Sequence, residues 1–239
     1  MLHSAMPAAD MEALWLTLRL AASTSAILLT LAVPLAWWIV SGTGIPRAVA
    51  QALIALPLVV PPTVIGFYLL VGLGPLTAAG RLITRLLGHP LAFSFAGLLA
   101  GSVIYSLPFA VQPLVAGFRN VDARLLDAAA GLGASPFLTF RRIVLPLSWG
   151  SLLAAAVLTF THTVGEFGVV LMLGGNLPGL TRTLSIALFD QVQDFNYAAA
   201  DRTALLLITI SLLGLTAVYW RSARPRSASN DPASASNAL

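Results

Sequence analysis

Uncharged apolar runs long enough to cross a lipid bilayer recur along this chain, and nothing constrains its fold more. Residues 20–40 contain no charged side chain, and at about 1.5 Å per helical residue such a run spans a hydrocarbon core of roughly 30 Å. The spans they mark lie at about 14–40, 49–73, 93–117, 147–173 and 203–220, the first taking in Arg19 and the fourth Glu166. A bilayer interior offers no water to backbone N–H and C=O groups, so each is expected to be a helix. They predict an all-α polytopic membrane protein with about five transmembrane helices. A sixth is allowed within 181–200, where Leu184, Ile186, Ala187 and Leu188 are interrupted by Asp190 and Asp194. The stretch 75–90 carries Arg81 and Arg85 with Gly and Pro, and reads as an interfacial segment. Composition agrees: 58% of the 239 residues are hydrophobic and 9% charged. That is too little polar surface to cover a water-soluble globule.

The basic residues are all arginine, and they sit in loops instead of forming one face, which argues against a nucleic-acid partner. Their placement also orients the chain. With the N-terminus outside, Arg47, Arg119, Arg124, Arg141, Arg142, Arg221, Arg224 and Arg226 fall on the cytoplasmic side, and Arg81, Arg85, Arg182 and Arg202 on the other. Asp10 and Glu12 stand where a cleaved signal would be basic, so the first run reads as a retained helix. Residues 1–226 are expected to form one transmembrane domain, and the Ser-, Ala- and Asn-rich stretch 227–239 a disordered cytoplasmic tail. The chain has no cysteine, hence no disulfide or thiolate metal site.

Prolines have positional meaning in such helices. Pro57, Pro61 and Pro62 in the second run, and Pro108 and Pro113 in the third, free backbone carbonyls that need partners. They mark either kinks in ordinary bundle helices or broken helices lining a pathway.

The segment 120–146 is the longest charged insertion between two strong runs. Asn120 or Asp122 caps a short helix; Leu125, Leu126 and Ala129 give it an apolar face; Gly131 and Gly133 allow it to end in a left-handed turn. Ser135 and Pro136 then read as the N-cap and first residue of a second helix running towards Arg142. The product is a small helix-turn-helix at the membrane surface, which on physics alone fits either a partner-docking element or an amphipathic membrane-resting one.

Asp127-Ala128-Ala129, three residues, Gly133, nine residues, Ile143, one residue, Leu145-Pro146 resembles the EAA pattern of bacterial ABC-importer permeases at every spacing. The one departure is Asp127 in place of Glu. The resemblance implies that this loop is a coupling helix seated in a groove of a separate cytoplasmic ATPase. Arg124, Arg141 and Arg142 are then placed to pair with carboxylates of that partner or with lipid phosphates. This chain has no Gly-rich Lys-Ser/Thr phosphate loop and no evident catalytic or metal-binding set, so it is expected to bind no cofactor, with ATP and Mg held by the partner.

A second block reads Gly165-Glu166-Phe167-Gly168, Gly174-Gly175-Asn176-Leu177-Pro178-Gly179 and Thr181-Arg182-Thr183-Leu184. It is similar to molybdate permease subunits and, more loosely, to sulfate permeases, and with the EAA loop the resemblance covers most of residues 14–220. It implies a multi-pass protein of the bacterial cytoplasmic (inner) membrane working as a homodimer with the ATPase and an external oxyanion-binding protein. That binding protein would land on loops 74–92 and 174–202. Sulfate, tungstate or another small solute remains the alternative cargo. The expected pathway or gate residues are His162, Thr163, Glu166, Asn176, Pro178, Thr181, Arg182 and Thr183. Glu166 is expected to have a structural role near the outer gate, paired to His162 one helical turn before it, to Thr163 or to backbone N–H groups of the other subunit, with direct gating as the alternative. The rival from another class is a proton-coupled secondary transporter using the same two residues.

Overall fold

A computed structural model describes residues 8–74 and 76–222, all of them helix, turn or loop, with no strand among them. The expected tail 227–239, together with Arg224 and Arg226, lies outside the described residues.

Among the described residues three helices are each long and apolar enough to cross a membrane: α1 (Ala8–Val40), α5 (Phe95–Arg119) and the Tyr197–Ala217 part of α12 (Tyr197–Ser222). Two bent pairs raise the number to five. In the first, α2 (Ile45–Ala55) continues through a single 3-10 turn, Leu56–Leu58, and is bent by 110° from α3 (Pro62–Gly72). The expected continuous span 49–73 is therefore a broken one. Its cause is local: Pro61 precedes another proline, is pushed out of the helical region to φ −54, ψ 137, and becomes the N-cap of α3. Pro108 and Pro113, by contrast, lie inside an unbroken α5.

The second pair is bent by 71° at Ser148, between Pro136–Leu147 and α9 (Trp149–Val164). The order of short elements here is α6 (Ala123–Gly131), α7 (Pro136–Thr139), a π-helical stretch Phe140–Val144 and α8 (Leu145–Leu147). The expected span 147–173 also stops early. It ends at Val164, and α10 (Gly168–Gly174) follows after a three-residue break. The sixth span allowed in 181–200 is replaced by α11 (Leu184–Gln193), whose 10 residues reach only about 15 Å, half of a hydrocarbon core. The interfacial reading of 75–90 fits α4 (Ala78–Leu87), which is capped by Thr77, ends at a left-handed Gly88, and leaves Leu82, Leu86, Leu87, Arg81 and Arg85 exposed.

Helices α1 and α5 run side by side in the same direction. Leu16 and Leu20 share an apolar cluster with Leu98, Val170 and Ile186, whereas Leu28, Ala32, Ala36 and Ile39 share another with Ala110, Val111, Leu114 and Phe118. The second cluster lies at the end of the bundle that carries the loop 120–146, here the loop end; the first lies at the far end. Alanines on the buried face of α1 bring the backbones close, as in membrane bundles generally. Between the clusters the same helices bury a polar layer: Thr24 and Ser25 of α1, Ser102 and Ser106 of α5, and Thr159 and Thr163 of α9.

Candidate coupling surface and transport pathway

The loop 120–146 folds as its residues dictate. Asp122 Oδ1 accepts from the Arg124 amide at 2.9 Å, starting α6. At the other end the Ala134 amide donates to the Ala129 carbonyl at 3.0 Å and the Gly133 amide to the Ala130 carbonyl at 2.9 Å. This pair of bonds is a Schellman ending, and it sets Gly133 at φ 75, where a side chain is strained. The motif glycine thus has a backbone reason. Ser135 Oγ then accepts from the Leu138 amide at 3.3 Å, with Pro136 at the first helical position.

Asp127, Ala128, Arg124, Arg141, Arg142 and Pro146 are exposed, Ile143 and Leu145 are half-buried, and Ala129 is buried. None of these charged groups forms an ion pair among the described residues. Two large apolar side chains that the motif did not single out stand bare at the tip: Leu132 is 89% and Phe137 71% exposed. An apolar residue between two glycines, as Leu132 is, was the available signal, since a tight turn gives it nothing of its own to pack against. The root of the loop is buried. The Phe140 ring packs on Trp37 of α1, with centroids 5.0 Å apart, and on Phe118 of α5 at 5.7 Å, while Val144 is fully buried beneath it.

The expected pathway residues separate into two groups. His162 and Glu166 line one cavity of about 450 Å³ together with Pro62, Thr63, Tyr105 and Thr161. Thr163 stands behind it. Its hydroxyl donates to the Thr159 carbonyl at 2.9 Å, so at the 3.1 Å contact with Ser106 it accepts and Ser106 Oγ donates. Ser106 Oγ, its single proton spent, must accept from His162 Nδ1 at 2.9 Å. The imidazole is further held by stacking on Phe109, 3.8 Å between centroids. The expected pairing of Glu166 with His162 or Thr163 is absent. Glu166 lies just past α9, 4% exposed, and neither carboxylate oxygen has a hydrogen-bond partner among the described residues. His162 Nδ1 is instead held by Ser106 of α5, and the Thr163 hydroxyl by Thr159 and Ser106.

Asn176, Pro178, Thr181, Arg182 and Thr183 do not line the cavity; the first four belong to a far-end clamp. Asn176 Nδ2 donates to Asp190 of α11 at 2.9 Å, Arg182 pairs with the same carboxylate at 3.1 Å, and Thr181 Oγ1 donates to the Gly174 carbonyl at 2.6 Å. Pro178 is exposed in that turn. Thr183 comes nearest to the cavity: its hydroxyl meets Ser185 Oγ at 2.9 Å, and Ser185 in turn donates to the Glu166 carbonyl at 2.5 Å. Asp190 was expected only as an interruption in an apolar stretch; it is the clamp's centre.

Residues 28–226 match the family described as "Binding-protein-dependent transport system inner membrane component". The chain is 47% identical over 211 residues to the molybdenum transport system permease protein ModB of Azotobacter vinelandii, covering 88% of this chain and 93% of that one. The corresponding protein of Escherichia coli K12 is 30% identical over 212 residues, with 88% and 93% covered. A probable sulfate transport system permease protein of Chlorella vulgaris is 30% identical over 169 residues, covering 71% of this chain and 63% of that one. Among solved structures, a bacterial alginate ABC transporter in complex with an alginate-bound periplasmic protein has the same fold, with a TM-score of 0.73, 16% identity, and 92% of this chain and 80% of that one covered. An amino acid ABC transporter shares it at a TM-score of 0.62 and 18% identity, covering 91% of this chain and 94% of that one.

Proposed function

The chain belongs to the family of binding-protein-dependent transport system inner membrane components, and from that membership we propose that it is the permease subunit of an ATP-driven molybdate importer. The observation that carries the machine is the loop Asp127–Pro146, where the motif spacing coincides with a capped, glycine-terminated helix whose charges are unpaired. The cargo rests on the 47% identity with a molybdenum transport permease.

In this reading two copies line one pathway at their interface. Each presents α6 to a cytoplasmic ATPase subunit that holds ATP and Mg, and the far end receives an external oxyanion-binding protein. The loop end is then cytoplasmic, in accord with its arginines. Exposed Leu132 and Phe137 bury themselves in the ATPase groove, and Arg124, Arg141 and Arg142 meet its carboxylates. Motion of the ATPases passes through Phe140 to Trp37 and Phe118, that is, to α1 and α5 together. Tilting these helices relative to the partner copy opens the pathway alternately to each side.

The test is reconstitution of the permease with its ATPase and binding protein in vesicles. Molybdate uptake that requires ATP is the expected result. Uptake independent of ATP and abolished by collapsing a proton gradient overturns the reading in favour of a secondary transporter, and a preference for sulfate or another solute overturns the cargo alone.

A further inference from the structure

Helix α4 presents two exposed stripes that the coupling scheme does not use. Leu82 and Leu86, one turn apart, form the first; Arg81 and Arg85, also one turn apart, form the second beside it. The Gly80 side is closed off, since a Cβ there would overlap the Gly74 carbonyl at the corner where α3 ends. Thr77 makes that corner: its hydroxyl donates to the Gly72 carbonyl at 2.6 Å and accepts from the Gly80 amide at 3.0 Å. Arg81 Nη1 donates to the Leu76 carbonyl at 2.8 Å, and Arg85 has no partner among the described residues. No Asp or Glu occurs between Glu12 and Asp122, so no acid of the surrounding segment neutralises either guanidinium.

The level of α4 follows from its neighbours. Counted back from Val40 at the loop end, the uncharged run to Leu20 covers about 31 Å of helix, a full hydrocarbon core. Arg19 stands just past it, its guanidinium 4.4 Å from the ring centroid of Phe95, the first residue of α5, and Trp15 one turn further out is exposed. Side chains of these types gather at a bilayer boundary. Gly168 lies against Pro62 and Gly66 against Met172, so α3 and α10 run together and end at the same level. The Phe93 amide, donating to the Leu173 carbonyl at 2.7 Å, ties that level to the start of α5. Helix α4 therefore connects two points at the far boundary. A leucine stripe beside an arginine stripe at that level is the pattern of a helix lying in the membrane plane. We propose that α4 does so in the leaflet opposite the loop end, with Leu82 and Leu86 among the acyl chains and Arg81 and Arg85 on the phosphate of an anionic phospholipid. Guanidinium forks suit such a phosphate. Through the Thr77 corner the lipid then fixes the end of α3, the outer half of the broken span.

The test uses the permease assembled with its ATPase in vesicles of phosphatidylcholine and phosphatidylglycerol in equal parts, each variant checked for assembly by gel filtration. The chain has no cysteine, so Leu86→Cys places a single bimane fluorophore on it. Either lipid is brominated on its acyl chains in turn, and the ratio of the two quenching efficiencies gives the preference at α4. Brominated phosphatidylglycerol should quench the more strongly, and salt should narrow the difference. Arg81→Gln or Arg85→Gln should lower the preference by about fivefold, and the two together should abolish it. Arg81→Lys with Arg85→Lys keeps both charges and should recover most of it. Equal quenching by the two lipids, a preference that survives the double Gln change, or a Lys pair that recovers nothing overturns the phosphate site. Quenching by aqueous iodide in place of lipid overturns the membrane seat. Protection from lipid and iodide alike overturns it too, and marks a protein cover, either a second copy or the external binding protein.

Discussion

Phe140 packs on Trp37 with the rings tilted by 38° and their centroids 5.0 Å apart, which fastens the root of the loop 120–146 to α1, the longest of the described helices. In the proposed importer, α6 docks on the ATPase and needs a packed base to transmit force, and Phe118 of α5 closes this contact from the other side. Phe140→Ala should lower stability by about 2 kcal/mol, below the ~3–5 kcal/mol of a fully buried Phe because this ring is only partly covered. More tellingly, the uptake per ATP hydrolysed should fall while hydrolysis persists, and Phe140→Leu should fall between. A melting curve and paired uptake and hydrolysis rates in vesicles check this; an unchanged ratio removes Phe140 from the transmission path.

Gly133 separates backbone strain from steric exclusion. A Cβ built there meets nothing within 4 Å, so any penalty comes from its φ of 75 alone. Gly133→Val should destabilise the turn by roughly 1–2 kcal/mol or more and uncouple hydrolysis from transport, whereas Gly133→Asn, which tolerates the left-handed region, should be nearly silent. Full transport by the Val variant would sink the coupling assignment.

Gly117 makes the opposite case. A Cβ on it would overlap Ser151 Oγ and Cβ where α5 meets α9, near the loop end. Gly117→Ala should therefore destabilise, and Ser151→Gly in the same chain should restore the wild-type melting temperature. Additive losses in the double variant would show that the two helices do not approach as described.

Asp190 holds Arg182 and Asn176 with its side chain about a quarter exposed. Asp190→Ala leaves a partly buried guanidinium without its anion and should cost about 1–3 kcal/mol, less than a fully buried pair because solvent screens it. Arg182→Gln combined with Asp190→Asn should cost less than the sum of the single changes. A double-mutant cycle on thermal stability reads the coupling directly, and a coupling energy near zero would argue against the clamp.

Much of this protein was legible because its determinants are local. Apolar runs of bilayer length dictated helices, since a backbone in lipid has no other way to satisfy itself. Asp122, Gly133 and Ser135 announced the ends of two short helices through cap chemistry that depends on a few neighbouring residues. The break at Pro61-Pro62 was equally encoded, although hydropathy averaged it into one span.

The interior was not legible in the same way. Helices apolar on every side carry little periodic signal, so the rotation of each about its axis is set by packing. Whether His162 faced Glu166 or Ser106 turned on the position of α5, a distant part of the chain, and the tertiary structure gave the imidazole to Ser106. The same long-range packing set Phe140 between Trp37 and Phe118, and carried Asp190 to Arg182. Sequence alone determined the apolar helices and the capped, glycine-terminated turn of the loop 120–146, both products of short-range chemistry. Only the tertiary structure decided which polar groups share a cavity and which are left unpaired, because that depends on bends of 110° and 71° whose angles no local pattern records.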